Sequence, residues 1–216
     1  MKGLVITIDG PAASGKGSLS KKISKDLNFF YLETGAYYRA LACVFVKKKD
    51  VDINNLDSKD VEYFFKNKSY LYSEEISNLA SKLAKLKHVR QFILDMQRNI
   101  IITLNKKFNG ILLEGRDCGT VIAPEANLKI FLTADISVRA KRRYEQFVED
   151  KRNISYEQVL KDLNDRDRRD KNRKHSPLKK AEDAVTIDNT KYNFEETINI
   201  VKKLIFSRIP TLKNKN

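Results

Sequence analysis

A glycine-rich stretch near the amino terminus, Gly10-Pro11-Ala12-Ala13-Ser14-Gly15-Lys16-Gly17-Ser18, has the residue types that bind phosphate. Its glycines let the backbone wrap closely around an anion, so that successive amide N–H groups point inward. Lys16 can reach the β- and γ-phosphates of a nucleotide as a mobile point charge. A Ser or Thr that helps to bind Mg²⁺ usually follows this lysine, whereas here Gly17 follows it and Ser18 comes one residue later. The stretch predicts a phosphate-binding loop and leaves the role of the Ser18 hydroxyl open.

A second stretch with functional side chains is Glu114-Gly115-Arg116-Asp117-Cys118-Gly119-Thr120, which follows the apolar residues 111–113. It comes at the carboxyl end of a predicted buried strand, where open α/β sheets bind their ligands. Arg116 can form a bidentate contact with a phosphate. Asp117 can accept a hydrogen bond from a sugar hydroxyl or a base amine, or help to hold hydrated Mg²⁺. We therefore expect this turn to form a second part of the site.

Two arginine-rich stretches follow in the second half of the chain. Arg139 and Arg143 are four residues apart and share one face of a predicted helix. Two adjacent cations repel each other unless an anion neutralises them. Arg166, Asp170 and Arg173 share a face of the next predicted helix, although such charge runs are as often a solvated, ion-paired helix surface. On spacing alone, the second group is therefore as consistent with a solvated face as with a site.

Three more arginines lie outside the apolar stripes of their predicted helices. Arg39 is one turn into a helix at 36–46, where it is either a solvated charge or leans over the end of the preceding strand. Arg90 and Arg98 lie beside the apolar stripe of a helix at 89–104, and either could face solvent or a ligand.

Alternating strands and helices must position these residues. Continuous β-branched and apolar runs predict buried parallel strands, and apolar residues at helical spacing predict the helices between them. The predicted strands are 4–8, 29–32, 111–113, 129–133 and 184–188. Residues 47–77 lack clear periodicity and include the charged turn Lys47-Lys48-Lys49-Asp50, so we expect an inserted segment there, with helices resuming near Ser77. The final predicted helix is 194–206, and the polar tail 208–216 is expected to fray.

Composition limits the classes of protein to consider. The 216 residues suit one domain, and 42 Lys+Arg against 28 Asp+Glu give a net charge of +14, which favours anionic ligands. Charge alone does not separate nucleic acid, a membrane surface and nucleotide phosphates. Cys43 and Cys118 lack metal-ligand spacing, which favours a reducing compartment. No apolar run approaches the ~20 residues of a membrane span and no secretory leader is evident, so a cytoplasmic location is expected.

With these stretches together, the sequence resembles the bacterial cytidylate (CMP) kinases, which are short-lid nucleoside monophosphate kinases. The resemblance covers essentially the whole chain and depends most on the Gly-Arg-Asp turn at 115–117 combined with the Arg- and Asp-rich segment at 166–173. It implies an α/β P-loop NTPase-type three-layer fold with a mostly parallel five-stranded sheet, a shortened NMP-binding insert and a small lid. It also implies a single kinase domain, with a core at 1–46 and 78–216, the insert at about 47–77 and the lid at about 140–154.

The resemblance also implies roles for individual residues. The residues expected to bind the ATP phosphates are Gly10, Pro11, Ala12, Ala13, Ser14, Gly15, Lys16, Gly17 and Ser18. Those expected to bind the CMP phosphate or the transferring group are Arg39, Arg98, Arg116 and Arg173. Those expected to recognise cytosine and ribose are Thr34, Asp117, Arg166 and Asp170. Arg139 and Arg143 would belong to the lid over ATP, and the residues counted as catalytic are Lys16, Arg116, Arg173, Arg139 and Arg143.

The implied reaction is transfer of the γ-phosphoryl group of ATP to CMP or dCMP. Mg²⁺ would enter with ATP and no metal would be held by the protein alone. The expected enzyme is a monomer whose partners are its small-molecule substrates, with neither nucleic acid nor a membrane among them. The sequence departs from the family at Glu33-Thr34, where Asp-Ser is usual, at Cys118, where Met is usual, and in the insert before Ser77, which is shorter.

Two alternatives to this function stay open. One is a P-loop kinase for another nucleoside monophosphate such as UMP. The other is a basic nucleic-acid-binding P-loop ATPase, which would bind oligonucleotides with a steep salt dependence. The basic residues cluster around predicted strand ends and do not interleave with aromatic residues, which favours the kinase.

Overall fold

Five parallel strands form the centre of the computed structural model, which describes residues 3–48, 51–52, 55–67, 70–104 and 108–215. The strands are β1 (Leu4–Asp9), β2 (Phe30–Glu33), β3 (Gly110–Gly115), β4 (Leu128–Thr133) and β5 (Val185–Asp188). Their order across the sheet is β2-β3-β1-β4-β5, and every adjacent pair is parallel. The five predicted strands are confirmed to within two residues at each end.

Helices cover both faces of the sheet. They are α1 (Lys16–Asp26), α2 (Thr34–Lys47), α3 (Ser58–Lys66), α4 (Glu74–Leu83), α5 (Lys87–Leu104), α6 (Ile136–Glu149), α7 (Tyr156–Asn172) and α8 (Phe194–Arg208). One apolar cluster joins α2, α4 and α5 to one face, and a second joins α1 and α8 to the other. A smaller cluster packs α6 against α7. The two main clusters give the three-layer α/β fold that was expected, because a parallel sheet must bury both of its faces.

The central position of β1 determines where a ligand can bind. β1 pairs with β3 on one side and with β4 on the other, so the strand order reverses at its carboxyl end. Open α/β sheets bind ligands in the crevice at such a point. Asp9 ends β1 and Gly115 ends β3, and these two residues are partners in the register. The two candidate stretches predicted from the sequence therefore meet at one edge of the sheet.

The described part of the segment 47–77 is more regular than its sequence pattern predicts. Residues 58–66 form α3, whose Val61 and Phe64 are buried in the same cluster as α2. α4 begins at Glu74, three residues before the predicted start, because the Ser73 Oγ accepts a 3.2 Å hydrogen bond from the Ile76 N–H. Of the predicted charged turn, Lys49 and Asp50 lie outside the described residues.

The expectation of a frayed carboxyl-terminal tail is wrong for residues 208–215. Residues 210–215 form a short 3₁₀-helix after α8. Ile209 and Leu212 are buried in the cluster beneath α8, and the Leu212 N–H donates a 3.1 Å hydrogen bond to the Ile209 carbonyl. Most residues of the tail are polar, so its composition does not indicate that Ile209 and Leu212 are buried. Among the described residues, no helix is both long enough and apolar enough to cross a membrane.

Candidate functional site

The loop between β1 and α1 has the backbone geometry of an anion cradle. Gly15 adopts φ +85°, in the left-handed region that favours glycine. At Gly10 a Cβ atom would lie 2.0 Å from the Leu132 carbonyl oxygen, so no side chain fits there. α1 begins at Lys16, directly after the loop, so its free N–H groups and positive dipole end face the same space. Strand, loop and helix thus occur in the order that phosphate binding requires.

Lys16 is only 5% exposed and is held by two groups of the protein. Its Nζ donates a 2.9 Å hydrogen bond to the Pro11 carbonyl and lies 3.6 Å from the Glu114 Oε1. Glu114 also accepts a hydrogen bond from the Tyr31 hydroxyl, at 3.2 Å. Burial, reinforced by the nearby positive charge of Arg116, lowers the pKa of Lys16 to about 7. A bound polyanion would exchange these partners and favour the charged form of the lysine.

A buried carboxylate joins the two candidate stretches. Asp9 accepts hydrogen bonds from the N–H groups of Cys118 and Gly119, at 2.9 and 2.8 Å. Burial raises the pKa of Asp9 to about 6, against the opposing effect of these two amides. At Gly115 a Cβ would lie 2.2 Å from the Thr34 Oγ1, so the turn also requires glycine there. The loop after β3 is thereby positioned against the strand that leads into the phosphate loop.

These elements surround one cleft of about 1100 Å³. The predicted site residues that line it are Ala12, Ala13, Gly15, Lys16, Gly17, Ser18, Thr34, Arg39, Arg116, Asp117, Arg143, Arg166, Asp170 and Arg173. Gly10, Pro11 and Ser14 are buried within the loop and do not line the cleft. Arg98 and Arg139 also lie outside it.

Arginines and carboxylates form a network at the end of the cleft beside β3 and α7. Arg116 donates through Nε to the Asp170 Oδ2, at 3.0 Å, and the Arg173 Nη2 lies 3.5 Å from the Asp117 Oδ1. Burial alone would raise the pKa of Asp170, but Arg116, Arg166 and Arg173 together hold it below its ordinary value. Asp170 therefore keeps its negative charge, and the network forms a polar end to the cleft.

Two members of this group have an unused donor. Among the described residues the Arg166 Nε and the Arg173 Nη2 have no hydrogen-bond partner. Burial lowers the pKa of Arg166 to about 10, and the positive charge of Arg116 adds to this effect. Arg116 and Arg166 thus add positive charge to one wall of the cleft, where an anion would relieve their repulsion.

The structure places Arg139 beneath the phosphate loop, on the same helix as Arg143 as predicted, and this corrects its predicted role in the lid. Arg139 is 6% exposed. Its Nη1 donates to the Ala12 carbonyl, at 2.9 Å, and to the Asp167 Oδ2, at 2.7 Å. Asp167 also accepts a 3.1 Å hydrogen bond from the Ala12 N–H. The sequence reveals the spacing of four between the arginines but not the carboxylate on α7 that neutralises one of them. Arg139 therefore supports the loop from below.

The structure also corrects the choice between Arg90 and Arg98. Arg98 is exposed and donates to the carbonyls of Val121 and Ile122, at 2.8 and 3.4 Å. Arg90 is buried, forms a close ion pair with Asp117, and lies 5.5 Å from the centre of the Tyr38 ring. Arg90 is therefore the arginine of α5 that reaches this network.

A signal for Arg90 was present in the sequence. Gln97 lies seven residues after Arg90 on α5, so both share a face with the buried Val89 and Ile93. The Gln97 amide donates a 3.0 Å hydrogen bond to the Thr34 carbonyl. Two polar residues in register with buried apolar ones indicate a buried polar contact, and the spacing of seven could have separated Arg90 from Arg98.

The sequence patterns do not predict a second cluster of polar side chains, which lies in the cleft beside the arginine–carboxylate network. Glu33 forms a close ion pair with Arg39 and accepts a 2.8 Å hydrogen bond from the Tyr72 hydroxyl. The Arg39 guanidinium lies 5.0 Å from the centre of the Tyr72 ring. Tyr72 belongs to the segment without clear periodicity, so nothing in its local pattern predicts a position in the cleft.

Arg142 and Asn189 line the other end of the cleft, beside the phosphate loop. The Asn189 side-chain amide donates a 3.1 Å hydrogen bond to the Ser14 carbonyl. Arg142 in turn donates to the Asn189 Oδ1, at 3.1 Å, and to the Tyr192 carbonyl, at 3.2 Å. The loop after β5 is thus tied to both the phosphate loop and α6.

The oxygen donors beside Lys16 fit a Mg²⁺ ion that arrives with a nucleotide. The Ser18 hydroxyl is exposed in the cleft, and the Glu114 carboxylate lies against Gly17. Mg²⁺ prefers oxygen ligands and is usually held by one or two protein groups together with phosphates and water. Within the described residues no cluster of three His, Cys, Asp or Glu side chains could hold a metal by itself.

Comparison with solved structures supports the fold. An uncharacterized protein from Eubacterium ventriosum aligns with 95% of this chain and 99% of its own, at a TM-score of 0.56 and 15% identity. Shikimate kinase from Bacteroides thetaiotaomicron aligns with 94% of this chain and 98% of its own, at a TM-score of 0.50 and 11% identity. At such low identity these similarities concern the fold alone.

Comparison by sequence is more specific. A family model described as cytidylate kinase matches residues 6–207. A cytidylate kinase from Fusobacterium nucleatum is 40% identical over 95% of this chain and 98% of its own length. One from Thermotoga neapolitana is 40% identical over 96% of this chain and 99% of its own, and one from Bartonella henselae is 39% identical over 95% of each. The match from β1 to α8, with the phosphate loop and the Gly-Arg-Asp turn on one cleft, shows that the chain belongs to the cytidylate kinase family.

Proposed function

We propose that the protein transfers the γ-phosphoryl group of ATP to CMP or dCMP, giving ADP and CDP or dCDP. The observation that carries the proposal is the single cleft in which the phosphate loop and the arginine–carboxylate network face each other. Both reactants are strongly anionic, so the work of the protein is to neutralise charge and to align the transferring group in line. The phosphate nucleophile is already ionised, so no general base is required.

On the donor side, the loop amides of residues 10–18 and Lys16 would hold the ATP phosphates. Arg139 would act indirectly, because it fixes Ala12 of that loop from below. Arg143 would face the nucleotide from α6. When Mg²⁺ is bound, it supplies further positive charge to the β- and γ-phosphate oxygens, and Ser18 and Glu114 are the residues that would hold it.

On the acceptor side, we assign the phosphate of CMP to Arg39, Arg116 and Arg173. Cytosine and the sugar are assigned to the residues predicted for them, Thr34, Asp117, Arg166 and Asp170. Arg166 and Asp170 lie one helical turn apart, and such a donor–acceptor pair can hydrogen-bond the edge of a base or two sugar hydroxyls. Arg90 would hold Asp117 in place through their ion pair.

The proposal extends to the organisation of the protein. Residues 47–77 would form the acceptor-side insert and residues 140–154 the lid, within one kinase domain. The enzyme would act as a monomer in the cytoplasm, with nucleotides as its partners and neither nucleic acid nor membrane. Family membership and the location of the cleft between these two segments support this assignment.

A coupled ADP-release assay tests the proposed function. Purified protein receives Mg²⁺-ATP together with CMP, dCMP, UMP, AMP or dTMP, in parallel reactions. We expect fast turnover with CMP and dCMP and much slower turnover with the others. Comparable rates with UMP would contradict the assignment of cytosine recognition, and ATP hydrolysis without an acceptor would contradict the kinase function.

A further inference from the structure

The carboxyl end of α6 carries a pair of arginines on one aromatic ring. The Arg143 guanidinium lies 4.3 Å from the centre of the Phe147 ring, and that of Arg152 lies 5.0 Å from the same centre. The Phe147 ring is itself buried against α7. Both arginines line the cleft. A buried ring that contacts two guanidinium groups holds both cations at one position on the wall of the cleft.

The helix end explains how Arg152 reaches this ring. Lys151 adopts φ +56°, and its N–H donates a 2.9 Å hydrogen bond to the Val148 carbonyl. The Arg152 N–H then donates a 2.8 Å hydrogen bond to the Phe147 carbonyl. These two bonds form a Schellman motif, which reverses the chain and brings the residue after the left-handed position back over the last turn. Arg152 is therefore positioned by the backbone, not by chance contact of a long side chain.

The charges of this pair are only weakly compensated within the protein. The Arg143 Nη1 donates to the neutral Gln146 Oε1, at 3.2 Å. The Arg152 Nε lies 3.8 Å from the Asp150 Oδ2, and the two side chains are 42% and 60% exposed, a geometry that contributes little. Burial and the positive charge of Arg152 lower the pKa of Arg143, and the smaller opposing effects of Glu74 and Asp150 do not cancel this. In contrast, Arg39, Arg90 and Arg116 each have a carboxylate partner.

We infer that Arg152 is a phosphate-binding residue of the donor nucleotide, acting beside Arg143 and positioned by Phe147. This inference rests on the proposed function and adds a residue to it. Two cations held close together without a strong anionic partner favour a ligand with several negative charges, and the polyphosphate of ATP supplies these in the same cleft. The Phe147 ring keeps both guanidinium groups in place before the nucleotide binds, so less side-chain freedom is lost on binding.

Arg152→Met is the central test, because methionine keeps apolar contact with Phe147 and removes the charge. We expect the KM for ATP to rise about tenfold, the size of one charge-assisted hydrogen bond lost from the bound nucleotide. The KM for CMP should stay within about twofold, since the acceptor end is unchanged. Arg152→Lys should recover part of the loss, because it restores the charge without the planar guanidinium. Arg168→Met is the matched control, because Arg168 lies on the outer face of α7 with a side chain 75% exposed.

A binding measurement separates this inference from the proposed function. Inorganic tripolyphosphate, titrated calorimetrically without acceptor, should bind about tenfold more weakly to Arg152→Met and normally to Arg168→Met. Phe147→Leu keeps an apolar side chain in the α6–α7 cluster, and we expect it to weaken tripolyphosphate binding because both arginines lose the ring.

The two proposals fail in different ways. A wild-type KM for ATP and wild-type tripolyphosphate affinity in Arg152→Met would overturn the role of Arg152 and leave the kinase function intact. A lower Tm with unchanged kinetics and binding would likewise overturn it, since a purely structural cap predicts that pattern. Absence of CMP phosphorylation by the wild-type protein would instead overturn the proposed function.

Discussion

The two ends of the cleft bind charge in different ways. The donor end is centred on backbone amides, a helix amino terminus and Lys16, which consecutive residues of one loop contribute. Arg143 and Arg152, which we assign to the same nucleotide, line the wall of the cleft from α6 and its cap. The acceptor end consists of long charged side chains from three helices, α2, α5 and α7, and from the turn after β3. Its arginines Arg39, Arg90 and Arg116 already have carboxylate partners in the free protein. A polyphosphate therefore meets preformed N–H groups, whereas an acceptor nucleotide must enter an existing network of ion pairs.

This difference indicates how each end selects its ligand. Backbone amides attract any phosphate, because they carry no information about the base or the sugar. An ion-pair network is less permissive, since a ligand that fails to replace the contacts it disturbs leaves charges unpaired. We therefore expect substitutions at the donor end to reduce turnover with every acceptor, and substitutions at the acceptor end to change the preference among acceptors.

The largest effect is expected from Lys16→Met. Turnover should fall by about 10³-fold or more with every acceptor, because the lysine neutralises charge on the transferring phosphoryl group. Circular dichroism should show that the fold is retained. A variant with wild-type turnover would show that the phosphate loop is not the donor site.

The same substitution gives a pH-dependent effect on stability. Burial lowers the Lys16 pKa from 10.5 to about 7, so folding disfavours the charged form. The cost of burying this charge is complete below about pH 7 and is lost as the pH rises towards 10.5. The Tm difference between Lys16→Met and the wild type, by calorimetry, should therefore favour the variant more at pH 7 than at pH 10. An equal difference at both values would contradict the lowered pKa.

Arg90→Met should have the second-largest effect, and it is confined to the acceptor end. Asp117 would lose its close partner while staying buried, so its orientation towards the acceptor would change. We expect kcat/KM for CMP to fall by about 10²-fold, with the KM for ATP within about twofold. Arg98→Met removes the same charge from the same helix but outside the cleft, and it should change neither constant. Equal effects of the two substitutions would contradict the selection of Arg90.

The smallest effect is expected from Glu33→Gln. The Glu33 carboxylate competes with an acceptor phosphate for Arg39, so its neutralisation should lower the KM for CMP about two- to threefold. Tyr72→Phe removes the hydroxyl that donates a hydrogen bond to Glu33, so the carboxylate should hold Arg39 more strongly and the same constant should rise slightly. Steady-state kinetics at several CMP concentrations measures both. A higher KM in Glu33→Gln would show that the carboxylate positions Arg39 instead of competing for it.

The contrast between the two ends also explains what could be predicted from the sequence. The phosphate loop is local, since strand, glycines, lysine and helix follow one another within about two dozen residues, so the residue types alone indicate its chemistry. The five strands were equally clear, because a buried parallel strand is a continuous apolar run. The family resemblance then supplied the second ligand, which no local pattern contains.

The predictions that failed concern partners that are distant in sequence. Nothing near Arg139 indicates that Asp167 would neutralise it. The position of Arg90 and Arg98 beside one apolar stripe does not separate them, and the family resemblance pointed to Arg98. Tyr72 and Arg152 were missed for a related reason. Tyr72 is held by the Glu33 carboxylate, which is distant in sequence, and Arg152 is held by a helix cap and the Phe147 ring. The periodicity of apolar residues does not predict either kind of contact.

The central place of β1 in the sheet has a consequence for how the chain is made. β1 is the first strand to be synthesised, but its partners begin at Gly110 and Leu128. At roughly 5–20 residues per second, a ribosome needs roughly 5–20 s to add the residues between β1 and β3. During this time the apolar strand has no sheet to join, so a nascent chain stalled before Gly110 presents it as an unpaired edge. Early truncation should therefore leave an aggregation-prone fragment, however well the completed protein buries the same residues.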